Sequence, residues 1–411
     1  MLTKEEALAN KIKVQKEAEE SVFSARVRSC LELATGVGKT KIGLSVVDRL
    51  RTMFLELDQT AMQTLIVVPT EEMRDVDWPE EAKKWNISLD GVKIICYAAL
   101  AKEVLNKYHF ILYDEYHKTT IGNLNKLEVY LTNPRVYALG LTATLPKEVY
   151  EGDSMERIQL MRTLLPTSYK LTTDQAVDLG LISDFEIVVL KYYLDSVNVN
   201  IPGGTKKNPF KQTEKARYDF LTKNLQRATF MSQANTAKLP MKFAAISARV
   251  QFLSSLPSKL RIVLEVLKRL HVPGTRTLVF AGSIEQANRI GGKAVYHSGS
   301  TREGLDNFQS KASDLLVAVK ALNEGKNLTE PDLGIIAQID SVDRNLIQRI
   351  GRLVRIRYNK MDHKAQIIII VTINTAEERW FNTAIADFET NRIKQYIVPI
   401  QPLNTQENGI S

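Results

Sequence analysis

The stretch ELATGVGKTK, Glu32 to Lys41, sets the reading of the whole chain. It carries the Gly-Lys-Thr end of a phosphate-binding loop, G-x-x-x-x-G-K-[ST], but Leu33 stands where the leading glycine belongs. Gly36 and Gly38 let backbone N–H groups approach a phosphate because no Cβ intervenes. Lys39 has the reach for β- and γ-phosphates, and Thr40 can ligate Mg²⁺. An apolar strand, CLEL, precedes the loop, and TKIGLSVVDRL continues it as a helix whose N-terminus favours anions. Thr35, Gly36, Val37, Gly38, Lys39 and Thr40 therefore form a candidate nucleotide cradle.

Outward from this loop, short apolar runs alternate with polar, helix-like stretches, as parallel βαβ units require. Strands are expected at Cys30 to Leu33, Thr64 to Val68, Lys93 to Cys96, Phe110 to Tyr113 and Tyr137 to Leu141, making one doubly wound sheet. A second series follows at Thr277 to Phe280, Ala294 to Tyr296, Leu315 to Val319, Gly334 to Ala337 and Gln366 to Val371. Ahead of it, SKLRIVLEVLKRL predicts a packing helix capped by Ser258, with Leu260, Val263, Leu264 and Leu267 on its apolar face. The loop residues Pro202, Gly203, Gly204 and Pro209 separate the two series. A helix after them places Tyr218, Leu221, Leu225 and Ala228 on one face, with Lys223 and Arg227 on another. The predicted domains are 1–190, a basic insertion 191–255, and 256–400, with a tail at 401–411.

With 411 residues the chain is long enough for two or three separate cores, and its 44% hydrophobic and 25% charged content suits a soluble globular protein. The longest apolar run, Ile367 to Val371, is far too short to cross a membrane, and the charged N-terminus lacks the apolar centre of a secretory signal. Two cysteines, Cys30 and Cys96, are too few for a disulfide framework or a four-thiolate zinc site. A reducing compartment, cytoplasmic or nuclear, is the expectation. The net charge of +8 suits a polyanionic partner. Much of it is concentrated in Lys206 to Lys242, where nine Lys and Arg face only Glu214 and Asp219.

HFILYDEYH, His109 to His117, reads as a buried central strand with Asp114 and Glu115 at its carboxyl end, where open α/β sheets bind ligands. Mg²⁺ takes oxygen ligands, so Asp114 is a candidate to hold it, and Glu115 to orient and deprotonate an attacking water. In NLIQRIGRLVR, Leu346, Ile347, Ile350 and Leu353 anchor one helical face, and Arg349, Arg352 and Arg355 stand off it. These are candidate arginine fingers for the transition state of phosphoryl transfer. Gln15 is a candidate adenine reader, since a side-chain amide can pair with the base edge; a surface glutamine is the alternative.

These residues resemble the superfamily 2 helicases of the DExH type. LATGVGKT resembles their motif I, in which the leading glycine is often replaced; DEYH resembles the DExH box, and GLTATLP, Gly140 to Pro146, resembles motif III. QRIGRLVR matches motif VI, Q-x-x-G-R-x-x-R. By that match Arg352 and Arg355 would touch the γ-phosphate, with Gln348 near the water. LVAVKALNEGKNL fills the place of motif V, where Gly325 admits close approach, though Val319 and Asn327 depart from the usual threonine and aspartate. TLVFAGSIEQA and VYHSG resemble motif IV and its successor, directing Ser283 and His297 toward a bound strand. VVPTEEM resembles motif Ia, giving Pro69 and Thr70 a phosphate-binding role. Trp85 and Tyr97 sit in further family-like segments, and their apolar context favours core positions.

The resemblance covers residues 10 to 390 and implies two tandem RecA-like domains of α/β class that hydrolyse ATP with Mg²⁺. It implies that His117, Thr142 and Thr144 couple the ATP site to the motor, and that Lys223 and Arg227 of the basic insertion join in gripping nucleic acid. QRIGRLVR and LTTDQAVDLGLISDFEI look most like compact DNA helicases of the excision-repair and phage branch-migration type. The expected partner is thus DNA, forked or branched, in preference to RNA. The chain is expected to act as a monomer or to associate weakly. An ATP-gated clamp that does not unwind, an RNA helicase and a P-loop kinase are the competing readings.

Overall fold

The apolar runs fold into two parallel sheets, each in its own unit. The computed structural model describes residues 2–57, 61–146, 154–204, 207–319, 331–339, 346, 349–351, 353–354, 364–386 and 388–400. Gln348, Arg352, Arg355 and Gly325 lie outside these residues, as do Ile347, Lys206 and the tail. Among the described residues, one unit spans 2–184 with those of 350–354 and residue 364; the other spans 185–319, those of 331–349, and those of 365–400.

The first sheet holds β1 (Arg28–Leu33), β2 (Thr64–Val68), β3 (Val92–Cys96), β4 (Phe110–Asp114), β5 (Tyr137–Thr142) and β6 (Thr167–Leu171). They run in the order β3-β2-β4-β5-β1-β6, every neighbouring pair parallel. Along with them come α1 (Lys4–Ser24), α2 (Lys39–Leu57), α3 (Trp78–Lys84), α4 (Tyr97–Leu100), α5 (Ile121–Leu131), α6 (Met155–Leu164) and α7 (Thr173–Asp178). Every residue of β2 and β4 is buried, as suits strands covered on both faces. Gly43 of α2 makes room for this packing, since a Cβ there would sit 2.9 Å from Leu112 Cδ1 and 3.1 Å from Trp78.

The second unit begins with β7 (Phe185–Tyr193) and the antiparallel hairpin β8 (Ile201–Gly204) and β9 (Pro209–Gln212). The helices α8 (Glu214–Ala234), α9 (Leu239–Ser254) and α10 (Pro257–Leu270) follow. Then come β10 (Thr277–Phe280), α11 (Ile284–Gly291), β11 (Val295–Tyr296), α12 (Glu303–Gln309), β12 (Leu315–Ala318), β13 (Leu333–Ile336), β14 (Ala365–Ile373) and β15 (Ile393–Ile397). The sheet order is β11-β12-β10-β13-β14-β7-β15. Strand β7 lies between β14 and β15, in register from Phe185↔Ala365 to Tyr193↔Ile373. The sequence-based boundary at 190 therefore runs through a strand of the second sheet.

Three side-chain placements differ from expectation. Ser258 does not cap α10, which begins at Pro257 behind Leu256; Ser258 is buried and bonded to Glu214 instead. The buried face of α10 includes Lys259 at 0% exposure, while Leu264 is 42% exposed. The Lys259 ammonium survives there because it donates to Glu377 Oε1 at 2.7 Å and Gln338 Oε1 at 2.9 Å. Trp85 is not a core residue: it is 44% exposed, donates to Glu81 at 2.6 Å, and carries Lys41 over its ring at 4.2 Å. Tyr97, by contrast, is half-buried against the first core.

Candidate nucleotide site

The phosphate loop lies between the buried strand β1 and helix α2, so the first-turn N–H groups of α2 face the loop. Gly36 and Gly38 adopt φ of 92° and 100°, a left-handed region open to glycine. Lys39 Nζ donates to the Leu33 carbonyl at 3.2 Å, folding the ammonium back over its own loop. Gln15 is neither a free surface amide nor directed at empty space. Its Nε2 donates to the Val37 carbonyl at 3.0 Å, and it lies so close to Gly38 that a Cβ there would meet Nε2 at 2.6 Å. Helix α1 thereby braces the loop from outside. Gly351 belongs to the same unit, and a Cβ at that position would fall 1.5 Å from Thr35 Oγ1.

Asp114 and Glu115 stand at the carboxyl end of β4. Asp114 is buried, and burial pushes its carboxyl up to about 7, reinforced by the neighbouring Glu115 charge. Trp78 and Lys39 oppose that shift, Trp78 by donating Nε1–H to Asp114 Oδ2 at 3.0 Å. Glu115 holds φ 54° and ψ 53°, a conformation few non-glycine residues adopt. Its Oε2 is buried and makes no hydrogen bond among the described residues. His117 Nδ1 approaches it at 3.4 Å, an ion-pair separation without hydrogen-bond geometry. The same Nδ1 meets Thr142 Oγ1 at 2.9 Å, and Thr142 Oγ1 in turn donates to the Thr144 carbonyl at 3.1 Å. Glu115, His117, Thr142 and Thr144 thus form one continuous polar line joining the ends of β4 and β5.

Other candidates occupy local roles. Thr70 follows β2 and its Oγ1 accepts the Met73 N–H at 3.2 Å, while Pro69 precedes it, half-buried. Ser283 caps α11 by accepting the Gln286 N–H at 3.1 Å. His297 Nδ1 accepts the Gly299 N–H at 3.1 Å, closing a tight turn after β11. Lys223 and Arg227 are exposed on α8. Arg349 does not stand off its helix: it is buried, and its Nη1 donates to the Gln338 carbonyl at 2.6 Å. Its guanidinium anchors the end of β13 to the helix that carries it.

Sequence reading missed Trp78, Glu32 and Arg157. Glu32 is buried in β1, where it accepts the Leu145 N–H at 3.1 Å and the Thr167 hydroxyl at 2.7 Å, fixing the segment after β5. Its signal was a carboxylate inside the apolar run CLEL. Arg157 reaches back from α6 to the His117 carbonyl and, at 2.7 Å, to the Thr119 carbonyl.

Two parallel sheets, the first carrying a phosphate loop and a carboxylate pair at its strand ends, define a protein of two tandem RecA-like domains. The helicase conserved C-terminal domain family matches residues 258–357. The DNA 3'-5' translocase XPB2 of Sulfurisphaera tokodaii is 25% identical, over 86% of this chain and 79% of its own length. Two solved structures share the fold. A putative HsdR subunit of a type I restriction enzyme from Vibrio vulnificus superposes with a TM-score of 0.57 at 15% identity, over 93% of this chain and 67% of that one. The Type ISP restriction-modification enzyme LlaBIII superposes with a TM-score of 0.53 at 14% identity, over 94% of this chain; the chain spans 31% of that enzyme. The chain belongs to the superfamily 2 helicases. Among the described residues no helix is long and apolar enough to cross a membrane.

Proposed function

We propose that this chain is an ATP-dependent DNA translocase or helicase of the DExH type, akin to the excision-repair and phage branch-migration enzymes, acting on forked or branched DNA. One observation carries the reading: Glu115 presents a buried carboxylate oxygen with no hydrogen-bond donor, beside Asp114 at the strand end. A carboxylate so placed is suited to take a proton from an attacking water.

The residues fit a nucleotide with Mg²⁺. The positive φ of Gly36 and Gly38 leaves the loop free of the side chains that would fill a phosphate cradle. Lys39 would hold the β- and γ-phosphates, and Thr40 and Asp114 would hold the metal. Bound Mg²⁺ supplies charge neutralisation on the transferring phosphoryl group. Glu115 orients the water, and His117, Thr142 and Thr144 pass the state of the site to neighbouring segments. By the resemblance to motif VI, Arg352 and Arg355 act as fingers, Gln348 lies near the water, and Gly325 lines the cleft. The nearness of Gly351 to Thr35 supports that assignment, because the intervening space admits only a glycine. Pro69, Thr70, Ser283, His297, Lys223 and Arg227 contact the nucleic-acid backbone, and the sequence-independent grip of a translocase needs no base reading. The archaeal relative bears the name of a 3'-5' translocase, and the same direction is proposed here.

The test is the ATPase rate titrated with single-stranded, duplex, forked and four-way DNA and with RNA, at several salt concentrations. Stimulation is expected from DNA, greatest with forked or four-way forms. Equal or greater stimulation by RNA would remove the DNA assignment, and no stimulation by either would remove the motor. Strand displacement measured beside translocation distinguishes a helicase from a clamp.

A further inference from the structure

The hairpin of α8 and α9 is held firmly at its base and presents an unusual surface beyond it. Glu214, at the start of α8, accepts the Ser258 N–H at 2.9 Å, the Ser258 hydroxyl at 2.6 Å and the Asp195 N–H at 3.1 Å. Tyr218 OH accepts the Ala376 N–H at 2.8 Å. Tyr218, Leu221, Ala228 and Ser232 form the buried face of α8.

The opposite face is neither polar throughout nor buried. Phe220, Lys223, Arg227 and Phe230 recur at i, i+3, i+7 and i+10, which places them within about 80° of one another around the helix. Phe220 is 50% and Phe230 73% exposed. Both cations between them are exposed, and neither has an acidic partner among the described residues. The two rings are separated by about 15 Å along the axis, with the cations about 6 Å apart between them. Arg217 lies over the Phe220 ring at 5.5 Å and adds a third positive group. On α9, which packs against α8, Phe243 is also exposed, at 52%. It sits four residues after its helix begins, as Phe230 sits four before its helix ends, so both lie near the turn of the hairpin.

Exposed aromatic rings rimmed by charge mark a surface with a partner. The rim is cationic: on α8 the only exposed acid, Asp219, is taken by Lys215 at 2.7 Å. The partner is therefore a polyanion that also offers flat apolar faces. Paired bases in a duplex are stacked on one another, whereas an unpaired strand has bases free to stack on side chains. The geometry points to this face of α8, continued by Phe243, as a platform for a single-stranded polynucleotide, with Phe220 and Phe230 stacking on bases and Lys223 and Arg227 pairing with phosphates. The inference rests on the nucleic-acid reading above and specifies which strand form the hairpin holds.

The experiment measures fluorescence anisotropy of the full chain with a labelled oligo-dT of about 20 nucleotides and with a blunt duplex of equal length. F220A/F230A is expected to weaken oligo-dT binding about tenfold or more while duplex binding changes less than about twofold. K223A/R227A is expected to lower the slope of log K against log salt for oligo-dT by about 1.4, for two phosphates released. F220L/F230L, which keeps apolar bulk but not ring faces, guards against a folding defect and is expected to behave like the alanine pair. Equal weakening of both ligands, full binding by the leucine pair, or no change in any variant would overturn the platform; the last outcome would assign the face to a protein partner. If the unmodified chain binds neither ligand, the nucleic-acid reading itself fails with it.

Discussion

The indole N–H of Trp78 donates to Asp114 Oδ2 at 3.0 Å, with both residues buried. This bond favours the ionised carboxylate against burial and the charge of Glu115. W78F keeps the ring and deletes the donor, so the Asp114 pKa is expected to rise further above about 7. A carboxylate must be ionised to hold Mg²⁺, so the acid limb of the ATPase pH profile should move to higher pH. A hydrogen bond to a charged group is worth about 1.5–3 kcal/mol, and apparent Mg²⁺ affinity should fall roughly tenfold or more. An unmoved acid limb would show that the indole does not control Asp114.

Glu115 is the proposed base. E115Q keeps the shape and removes the proton acceptor, so turnover should drop by about 10²–10⁴ with nucleotide binding retained. Binding is read with a fluorescent ATP analogue beside steady-state hydrolysis. Unchanged nucleic-acid-stimulated turnover would remove Glu115 from that role.

Thr142 is fully buried and its hydroxyl meets His117 Nδ1 at 2.9 Å. T142V is nearly isosteric and breaks the polar line between β4 and β5. Basal hydrolysis should change less than about threefold, while stimulation by nucleic acid falls by about tenfold, within the usual range of coupling energies. A proportional fall of both rates would make Thr142 a packing residue only.

Lys259 and Glu377, both fully buried, join at 2.7 Å inside the second unit. Burial holds the Lys259 ammonium below its usual range while Glu377 pulls the other way. K259M strands a buried carboxylate and should cost about 3–5 kcal/mol, read as an earlier urea transition of the second unit. K259M/E377L removes both charges and should recover most of that loss. A double variant no better than the single one would show that the pair is favourable in its own right.

Strands that are apolar throughout were plain in the sequence: Phe110–Asp114 and Thr64–Val68 could be placed because burial on both faces demands unbroken apolar runs. TSYKL, which forms β6, could not, since it lies at the sheet edge and only Leu171 is buried. FEIVVLKYY was read across a domain boundary because its partner, β14, lies 180 residues further along the chain and no local signal reports that pairing. In the candidate site, Lys39, Asp114 and Glu115 were legible from spacing. Trp78 was not, because its bond to Asp114 spans 36 residues and depends on how α3 packs. Arg349 looked like its neighbours in the arginine run, and only the carbonyl of Gln338 sets it apart.

The place of β7 bears on how the polypeptide can be cut. Phe185–Tyr193 is flanked in the sheet by β14 and β15, so a fragment begun at residue 191 would lose an interior strand and bare the apolar margin of β14. An excised back half should open at Phe185, and a protease site or fluorescent tag introduced between 185 and 193 should abolish its solubility.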